Sequence, residues 1–499
     1  MTRKRTPSTY ADWQAMAASL SFETRAFVDD KFIGADSGET FATVNPVTGE
    51  TLGQVASCNA VDAERAGKVA REAFECGEWS RVAPVKRKQV LLKLAELMEA
   101  NKSELALLDT LDMGKPIQSS LGDMAGAIGC MRYQAESIDK LYGEVAPTGE
   151  DSLALVLREP LGVVASIVPW NFPLMMTSWK IAPALAAGNS VILKPSEKSP
   201  LSALRLAELA SEAGIPRGVF QVLPGFGHTV GKALALSMEV DCLAFTGSTG
   251  VGKLLMQYAG QSNLKRVYLE CGGKSPNIVF ADCKDLERVA YHAAEAIFHN
   301  QGEVCIAGSR LLVENSIRTT FVDKLLAASE SMQPGDPLNP DSFMGAIVDE
   351  TQHKGILDYI RRGVEEGATL RAGGKALDGN GLFIPPTVFD DVTDKMVIGR
   401  EEVFGPVLSV FGFDTDEQAI AMANDSDYGL AAGLWSQDID RIMRVTRRLE
   451  SGQVFVNNWA GGDQTVPFGG VKQSGNGRDK SHHSLEEYSD LKSVWFSLA

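Results

Sequence analysis

The segment "GVVASIVPWNFPLMMTSWKIAPALAAGNSVILKP" (162–195) decides the fold class of this chain. It holds two continuous apolar runs, 162–168 and 190–195, separated by a helical stretch. Strands that are buried on both faces have this composition, and they occur in parallel sheets. The alternation continues through "VFQVLPG" and "CLAFTGS". It predicts a doubly wound α/β domain, in which ligands bind at the carboxyl ends of the strands.

The rest of the chain divides into further units. A second alternation of strands and helices begins after residue 273 and predicts a second α/β domain. Residues 148–160 and the C-terminal tail have strand composition but little core of their own, which is typical of arms that pair with another subunit. We therefore predict a first domain of residues 1–147 and 161–272, a second of residues 273–470, and an arm of residues 148–160 and 471–499.

Composition excludes several classes of function. The net charge of −16 argues against nucleic-acid binding, because phosphate contacts require clustered Lys and Arg. The only basic cluster, residues 2–5, is typical of a solvated terminus. No apolar run is long enough to span a membrane, and no secretory signal is present. The seven cysteines are scattered and form no C-x-x-C pair, which argues against disulfides and a metal site and favours the cytoplasm.

Two glycine-rich stretches are candidates for cofactor binding. Neither "GFGHTVG" (225–231) nor "GSTGVGK" (247–253) matches a full phosphate-binding motif, and an ordinary turn explains either equally well. Each, however, ends a predicted strand and begins a helix, where backbone N–H groups favour an anion. In "KPSE", Lys194 and Glu197 could both reach ribose hydroxyls. A carboxylate there favours NAD over NADP, although Lys194 would tolerate a phosphate.

Three residues are candidates for catalysis, and each has an alternative interpretation. Cys305, in "FHNQGEVCIAGSR" (298–310), is either a core residue or a nucleophile. Glu270 ends an apolar strand and is either salt-bridged or a general base whose pKa is raised by burial. Asn171 lies in "PWNFP" and is either a turn residue or an oxyanion donor.

Seven motifs together resemble the NAD(P)-dependent aldehyde dehydrogenase superfamily, in the family's order and over essentially the whole chain. They are "PWNFP", "KPSE", "FTGSTGVGK", "LECGGKSPNIVF", "FHNQGEVCIAGSR", "EEVFGPVL" and "PFGGVKQSGNGRD". The resemblance implies a Rossmann-like NAD-binding domain, a catalytic α/β domain and a small β oligomerisation arm. It also implies a homo-oligomer, a dimer of dimers.

The resemblance assigns roles to particular residues. Cys305 corresponds to the nucleophile, Glu270 to the general base, Asn171 to the oxyanion donor and Lys180 to a proton relay. The implied reaction oxidises an aldehyde to a carboxylic acid through a thiohemiacetal and a thioester on Cys305. The implied cofactor-binding positions are Val168, Pro169, Trp170, Lys194, Ser196, Glu197, Gly227, Gly231, Phe245, Thr246, Gly247, Ser248, Val251, Glu402 and Phe404.

The chain departs from the family's common pattern at Gly250, Cys271 and Asp479. The stretch "DQTVPFGGVKQSGNGRDKS" (463–481) is most similar to bacterial enzymes that oxidise γ-glutamyl-γ-aminobutyraldehyde and other aminoaldehydes in putrescine and polyamine breakdown. Gly461 and Gly462 would widen the mouth of such a site. The implied substrate-binding positions are Phe172, Trp179, Asp123, Val304, Ile306, Trp459, Asp463 and Phe468.

Alternatives remain open from the sequence. Asp123 and Asp463 would either attract a substrate ammonium or lie on solvated surface. The substrate could instead be a semialdehyde, betaine aldehyde or a broad range of aldehydes. A cysteine hydrolase or esterase would also use Cys305, with His299 as its nearest histidine, and a protein without catalysis could share the fold.

Overall fold

A computed structural model gives the structure of the chain. It describes residues 7–459 and 461–498, so the basic cluster at residues 2–5 lies outside the described residues. Among the described residues, no helix has both the length and the apolar character needed to cross a membrane.

The strands and helices follow one another along the whole described chain. The strands are β1 (Ala26–Val28), β2 (Lys31–Ile33), β3 (Thr40–Val44), β4 (Thr51–Ala56), β5 (Glu144–Ala146), β6 (Ser152–Pro160), β7 (Val163–Ile167), β8 (Ser190–Lys194), β9 (Phe220–Val222), β10 (Cys242–Thr246), β11 (Arg266–Glu270), β12 (Pro276–Val279), β13 (Arg310–Glu314), β14 (Thr369–Ala372), β15 (Thr387–Asp390), β16 (Val407–Phe413), β17 (Tyr428–Gly429), β18 (Ala431–Trp435), β19 (Gln453–Val456), β20 (Val471–Lys472) and β21 (Ser489–Ser497). The helices are α1 (Tyr10–Ser19), α2 (Ala60–Cys76), α3 (Pro84–Ala100), α4 (Lys102–Met113), α5 (Ile117–Ser137), α6 (Pro173–Ala187), α7 (Leu201–Ala213), α8 (Lys232–Leu236), α9 (Thr249–Gln261), α10 (Leu286–Phe298), α11 (Arg318–Ser329), α12 (Glu350–Glu365), α13 (Val397–Arg400), α14 (Asp416–Asn424), α15 (Ile439–Thr446) and α16 (Ser481–Glu487).

The first sheet has the strand order β11-β10-β7-β8-β9-β1-β2, and its five strands from β11 to β9 are parallel. Successive residues of β7 contribute to different cores: Val164 packs in one, and Val163 and Ala165 in the other. Because both faces are covered, every residue of β7 is buried. This burial explains the continuous apolar run, and the predicted doubly wound sheet is confirmed.

Glycines end the helices that return the chain to this sheet. Gly188 follows α6 at φ 102°, and Gly214 follows α7 at φ 98°, both in the left-handed region where glycine is favoured. The carboxyl ends of β7, β8, β10 and β11 therefore lie along one edge of the sheet.

The second sheet has the order β14-β15-β16-β13-β12-β18-β19 and is parallel except for the β14–β15 pair. It also separates two buried clusters, one containing Ile278 and Leu312 and the other containing Val279 and Val313. The predicted second α/β unit is therefore present.

A third sheet joins the strands β21, β6 and β5 in that order. The nine-residue strand β21 pairs with β6 along its full length, from Ser489 opposite Pro160 to Ser497 opposite Ser152. Residues 471–477, by contrast, bond to β17 and to the end of β11. The predicted tail thus contributes to two different places in the fold.

Candidate active site

A cavity of about 280 Å³ lies where the carboxyl edge of the first sheet meets the loop that carries Cys305. Of the positions predicted for the cofactor, it is lined by Pro169, Trp170, Thr246, Gly247, Ser248, Glu402 and Phe404. Of those predicted for the substrate, it is lined by Phe172, Trp179, Val304, Ile306 and Phe468. Asn171 and Cys305 also line the cavity.

The Cys305 loop follows α10 and is held in an unusual conformation. Asn300 and Gln301 have φ values of 50° and 56°, in the left-handed region that non-glycine residues rarely adopt. Side-chain hydrogen bonds hold them: Asn300 Nδ2 donates to the Asn171 carbonyl at 3.2 Å, and Gln301 Oε1 accepts from Gly345 N–H at 2.9 Å. The loop therefore fixes Cys305 relative to the end of β7.

The Cys305 thiol is protonated in this environment at neutral pH. Removal from water raises its pKa to about 12, and the nearby carboxylates of Glu402 and Glu270 act in the same direction. A thiolate is the reactive form, so attack requires a base or a positive charge close to the sulfur.

Asn171 presents one N–H to the cavity. The side chain is 4% exposed, and its Nδ2 donates to the Glu303 carbonyl at 2.8 Å. An amide nitrogen carries two N–H groups, so the second stays available beside Cys305. The arrangement has the chemistry of an oxyanion donor.

Glu270 is a buried carboxyl group without a hydrogen bond. It is the last residue of β11, it is 2% exposed, and neither of its carboxyl oxygens has a hydrogen-bond partner among the described residues. Burial raises its pKa well above the usual value, Asp479 adds to the rise, and Lys180 opposes it. A Cβ at Gly469 would lie 2.7 Å from Glu270 Oε1, so glycine is needed there to leave space for the carboxyl group.

Lys180 and Asp479 form a buried ion pair behind Glu270. The Lys180 ammonium lies 2.8 Å from Asp479 Oδ2, and both residues are nearly inaccessible to solvent. The charges of Asp479 and Glu270 keep the pKa of Lys180 raised, despite the opposing effect of burial. Asp479 is one of the departures from the common family pattern, and its shorter side chain still reaches the lysine.

The residues at the ends of β8 and β10 provide a groove that could hold a dinucleotide. Lys194 Nζ lies 3.3 Å from Glu197 Oε2 and also donates to the Pro195 carbonyl. At the start of α9, Ser248 Oγ accepts from Val251 N–H, which leaves other first-turn N–H groups free for an anion. A side chain at Gly227 would meet no atom within 4 Å, so the groove is open there.

The remaining predicted cofactor positions have different surroundings. Val168 is buried and donates its N–H to the Lys194 carbonyl, and Phe245 packs in the sheet core. Ser196 Oγ accepts from Lys198 N–H, and Gly231 lies beside the Lys194 side chain. None of these four residues lines the cavity.

Glu402 and Phe404 form the wall opposite the sheet. Glu402 Oε1 accepts from Gly273 N–H at 2.9 Å, and burial raises the pKa of Glu402 to about 7. Phe404 has a φ of 54° and packs edge-on against Trp170, with ring centroids 5.3 Å apart. Gln352 Nε2 donates to the Phe404 carbonyl at 2.8 Å and also lines the cavity. No sequence signal pointed to this glutamine, because it is an isolated polar residue on α12.

Three predicted substrate positions lie outside the cavity lining. Asp123 is paired with the fully buried Lys115, whose ammonium also lies 3.6 Å from the centroid of the Phe172 ring. Asp463 is exposed and accepts from Thr465. Trp459 packs against Phe455. Lys115 therefore already neutralises Asp123, the carboxylate that was predicted to attract a substrate ammonium.

Comparisons with known proteins agree with this geometry. The aldehyde dehydrogenase family model matches residues 32–494. The NADP/NAD-dependent aldehyde dehydrogenase PuuC of Escherichia coli (strain K12) is 55% identical over 98% of each chain. Because the family match and this relative span nearly the whole chain, the protein belongs to the aldehyde dehydrogenase family. It is an NAD(P)-dependent oxidoreductase that converts aldehydes to carboxylic acids.

Solved structures are similar over the same length. An indole-3-acetaldehyde dehydrogenase, AldA of P. syringae, in complex with NAD+ is 56% identical, has a TM-score of 0.98 and is covered completely by 99% of this chain. A γ-glutamyl-γ-aminobutyraldehyde dehydrogenase of Burkholderia cenocepacia J2315 is 54% identical, with a TM-score of 0.97 and the same coverage. The aldehyde dehydrogenase fold and the use of NAD are thus confirmed.

Proposed function

We propose that this enzyme oxidises aminoaldehydes of the γ-glutamyl-γ-aminobutyraldehyde type, formed in putrescine and polyamine breakdown in the cytoplasm. The solved γ-glutamyl-γ-aminobutyraldehyde dehydrogenase is the single observation that carries the substrate class. The site supports it, because the aromatic wall of Phe172, Trp179 and Phe468 would contact an alkyl chain, and Asp463 beyond it would attract an ammonium.

Oxidation begins when the Cys305 thiol gives its proton to water in the open cavity and the resulting thiolate attacks the aldehyde carbon. The oxygen of the resulting thiohemiacetal accepts from the free N–H of Asn171 and from the backbone N–H of Cys305. These donors are already in place because the Asn171 amide is anchored on Glu303. Bound NAD+ supplies the hydride acceptor that turns this adduct into a thioester.

Glu270 completes the reaction by taking a proton from a water molecule that attacks the thioester. The carboxylic acid leaves and the thiolate of Cys305 is restored. Because both Glu270 oxygens lack a protein partner, either can accept that proton. The proton then passes toward the Lys180–Asp479 pair, whose charges already act on Glu270.

Lys194 and Glu197 would hold the adenosine ribose. The Glu197 carboxylate favours the free ribose hydroxyl of NAD. Lys194 Nζ, 3.3 Å from that carboxylate, is a cation that could bind the ribose phosphate of NADP. NAD is therefore the preferred cofactor, and NADP use is possible.

A panel of aldehydes tests the substrate proposal. Purified enzyme is assayed for NADH formation with γ-glutamyl-γ-aminobutyraldehyde, indole-3-acetaldehyde, betaine aldehyde and hexanal, each with NAD+ and with NADP+. We expect the highest kcat/KM with the first substrate and NAD+. A higher kcat/KM with indole-3-acetaldehyde or betaine aldehyde would refute the aminoaldehyde assignment.

Replacement of the oxyanion donor should slow catalysis without releasing the cofactor. We expect Asn171→Ala to lower kcat by about 10²–10³-fold, the usual effect of removing one such donor. The Kd for NAD+, measured by titration calorimetry, should stay unchanged. Asn171→Asp, which keeps the size but removes the donor, should show the same loss; unchanged turnover in either variant would contradict the role.

The third sheet supports a homo-oligomer. Leu491, Trp495 and Phe496 of β21 are exposed, and Trp495 is 68% accessible. An apolar strand of this kind is expected to be covered by another copy of the chain. We expect Trp495→Glu to shift the mass measured by light scattering from a tetramer toward smaller species. A monomeric wild-type enzyme would contradict the proposal, and Lys93→Glu, a surface change elsewhere, is the control.

A further inference from the structure

Lys480 is a largely buried lysine next to Trp179, a residue of the cavity lining, and the mechanism does not use it. It is 7% exposed, and its ammonium lies 5.4 Å from the centroid of the Trp179 ring, which lines the cavity. Its ammonium has neither an ion pair nor a hydrogen bond within residues 7–459 and 461–498. Nζ is not among the atoms that protein encloses completely, so it borders a space that water or a ligand can enter. An anion in that space would offset the cost of the partly buried charge.

The nearest acidic groups do not neutralise Lys480. Asp479 is paired with Lys180, and Asp463 acts on Lys480 only at a distance beyond an ion pair. The ammonium would lie 3.2 Å from a Cβ at Gly462, so the absence of a side chain there leaves space next to the charge. The lysine thus lies next to Gly462, one of the two glycines predicted to widen the mouth of the site.

Two further polar groups nearby are buried without partners in the described chain. They are Trp179 Nε1, a donor, and Gln464 Oε1, an acceptor. Gln464 is fixed next to Lys480, because its carbonyl accepts from Ser481 N–H at 2.7 Å and its Nε2 donates to the Gly126 carbonyl. Buried groups of this kind are normally satisfied, and these two mark a polar region next to Lys480.

We propose that Lys480 binds the carboxylate of substrates whose end remote from the aldehyde is anionic or zwitterionic. Asp463, exposed on the adjacent loop, would bind an ammonium on the same end. A cation and an anion on neighbouring segments match the carboxylate and ammonium of an α-amino acid. This inference rests on the proposed function and deepens it, because it names the residues that would bind the charged end of the substrate.

Matched substrates test the role of Lys480. Hexanal and adipate semialdehyde have the same chain length and differ only in the remote carboxylate. We expect Lys480→Met to raise KM for adipate semialdehyde and for γ-glutamyl-γ-aminobutyraldehyde by about 10-fold or more, the usual effect of losing a hydrogen bond to a charged group. KM for hexanal and kcat for all three should change by less than about two-fold, and Lys480→Arg should restore most of the affinity.

Controls separate the outcomes. Lys354→Met removes an equal charge from an exposed ion pair on α12 and should leave every KM unchanged. Because Lys480 has a left-handed φ of 63° and a variant there could fold poorly, the wild type is also tested with inhibitors. Adipate should compete with hexanal more strongly than hexanoate does.

Equal KM changes for hexanal and adipate semialdehyde, or equal inhibition by the two acids, would overturn the role of Lys480 and leave the proposed function intact. Rapid oxidation of adipate semialdehyde that depends on Lys480, without oxidation of γ-glutamyl-γ-aminobutyraldehyde, would overturn the proposed function alone.

Discussion

Cys305→Ala should abolish aldehyde oxidation, with a fall in kcat of at least about 10⁴-fold. Removal of a nucleophile from a preorganised site commonly costs this much or more, because the covalent route is lost as a whole. The groove of Lys194, Glu197 and Ser248 does not depend on the sulfur, so binding of NAD+ should persist. Steady-state formation of NADH and calorimetric titration with NAD+ measure the two effects separately.

A second cysteine provides the matched control for this experiment. Cys76 is exposed at the end of α2, and Cys76→Ala should have wild-type kinetics. Substantial oxidation by Cys305→Ala would contradict the role of the nucleophile. His299→Ala distinguishes the hydrolase alternative: His299 forms no hydrogen bond with Cys305 or a carboxylate within the described chain, so its loss should not affect turnover.

The sheets of the fold could be predicted from sequence because their strands are unusually uniform. Strands β7, β8 and β10 are buried at every residue, and each appears as a continuous apolar run. The ends of α6 and α7 could also be predicted, because Gly188 and Gly214 follow these helices. The sequence placed both segments in one arm, but the register of β21 on β6 could not be predicted, because the paired residues are 329 or more positions apart and only tertiary structure joins them.

The candidate catalytic residues could be predicted from the sequence for a different reason. Glu270 is a charged residue at the end of an apolar strand, and Asn171 lies between fixed prolines, so each stands out locally. The residues that pair with the predicted site residues and change their charge do not stand out in the sequence. Asp479 pairs with Lys180, which is 299 residues away in the sequence. Asp123, which the sequence suggested as a ligand for a substrate ammonium, forms an ion pair with Lys115 instead. Such pairings depend on side-chain contacts that no motif or periodicity encodes.

Glu270→Gln should separate the two halves of the reaction. Attack and hydride transfer do not require the carboxylate as a base for water, whereas hydrolysis of the thioester does. We expect a rapid burst of NADH of about one equivalent per active site, followed by turnover about 10²–10⁴-fold slower than in the wild type. Stopped-flow absorbance measures both phases, and unchanged steady-state turnover without a burst would contradict the assignment.

The pH dependence of the same pair of proteins tests the raised pKa of Glu270. Only the ionised carboxylate can accept a proton, so wild-type kcat should rise with pH through that raised pKa, and Glu270→Gln should lose this rise.

The contribution of Glu270 to stability should change with pH in the opposite direction. The folded protein holds the Glu270 proton at pH values where the unfolded chain has released it, so this group lowers stability as pH rises above the unfolded pKa. Glu270→Gln removes that penalty, and its Tm should exceed the wild-type Tm at alkaline pH and approach it near pH 4; a lower Tm throughout would show that the carboxylate is stabilised by partners it lacks in this structure.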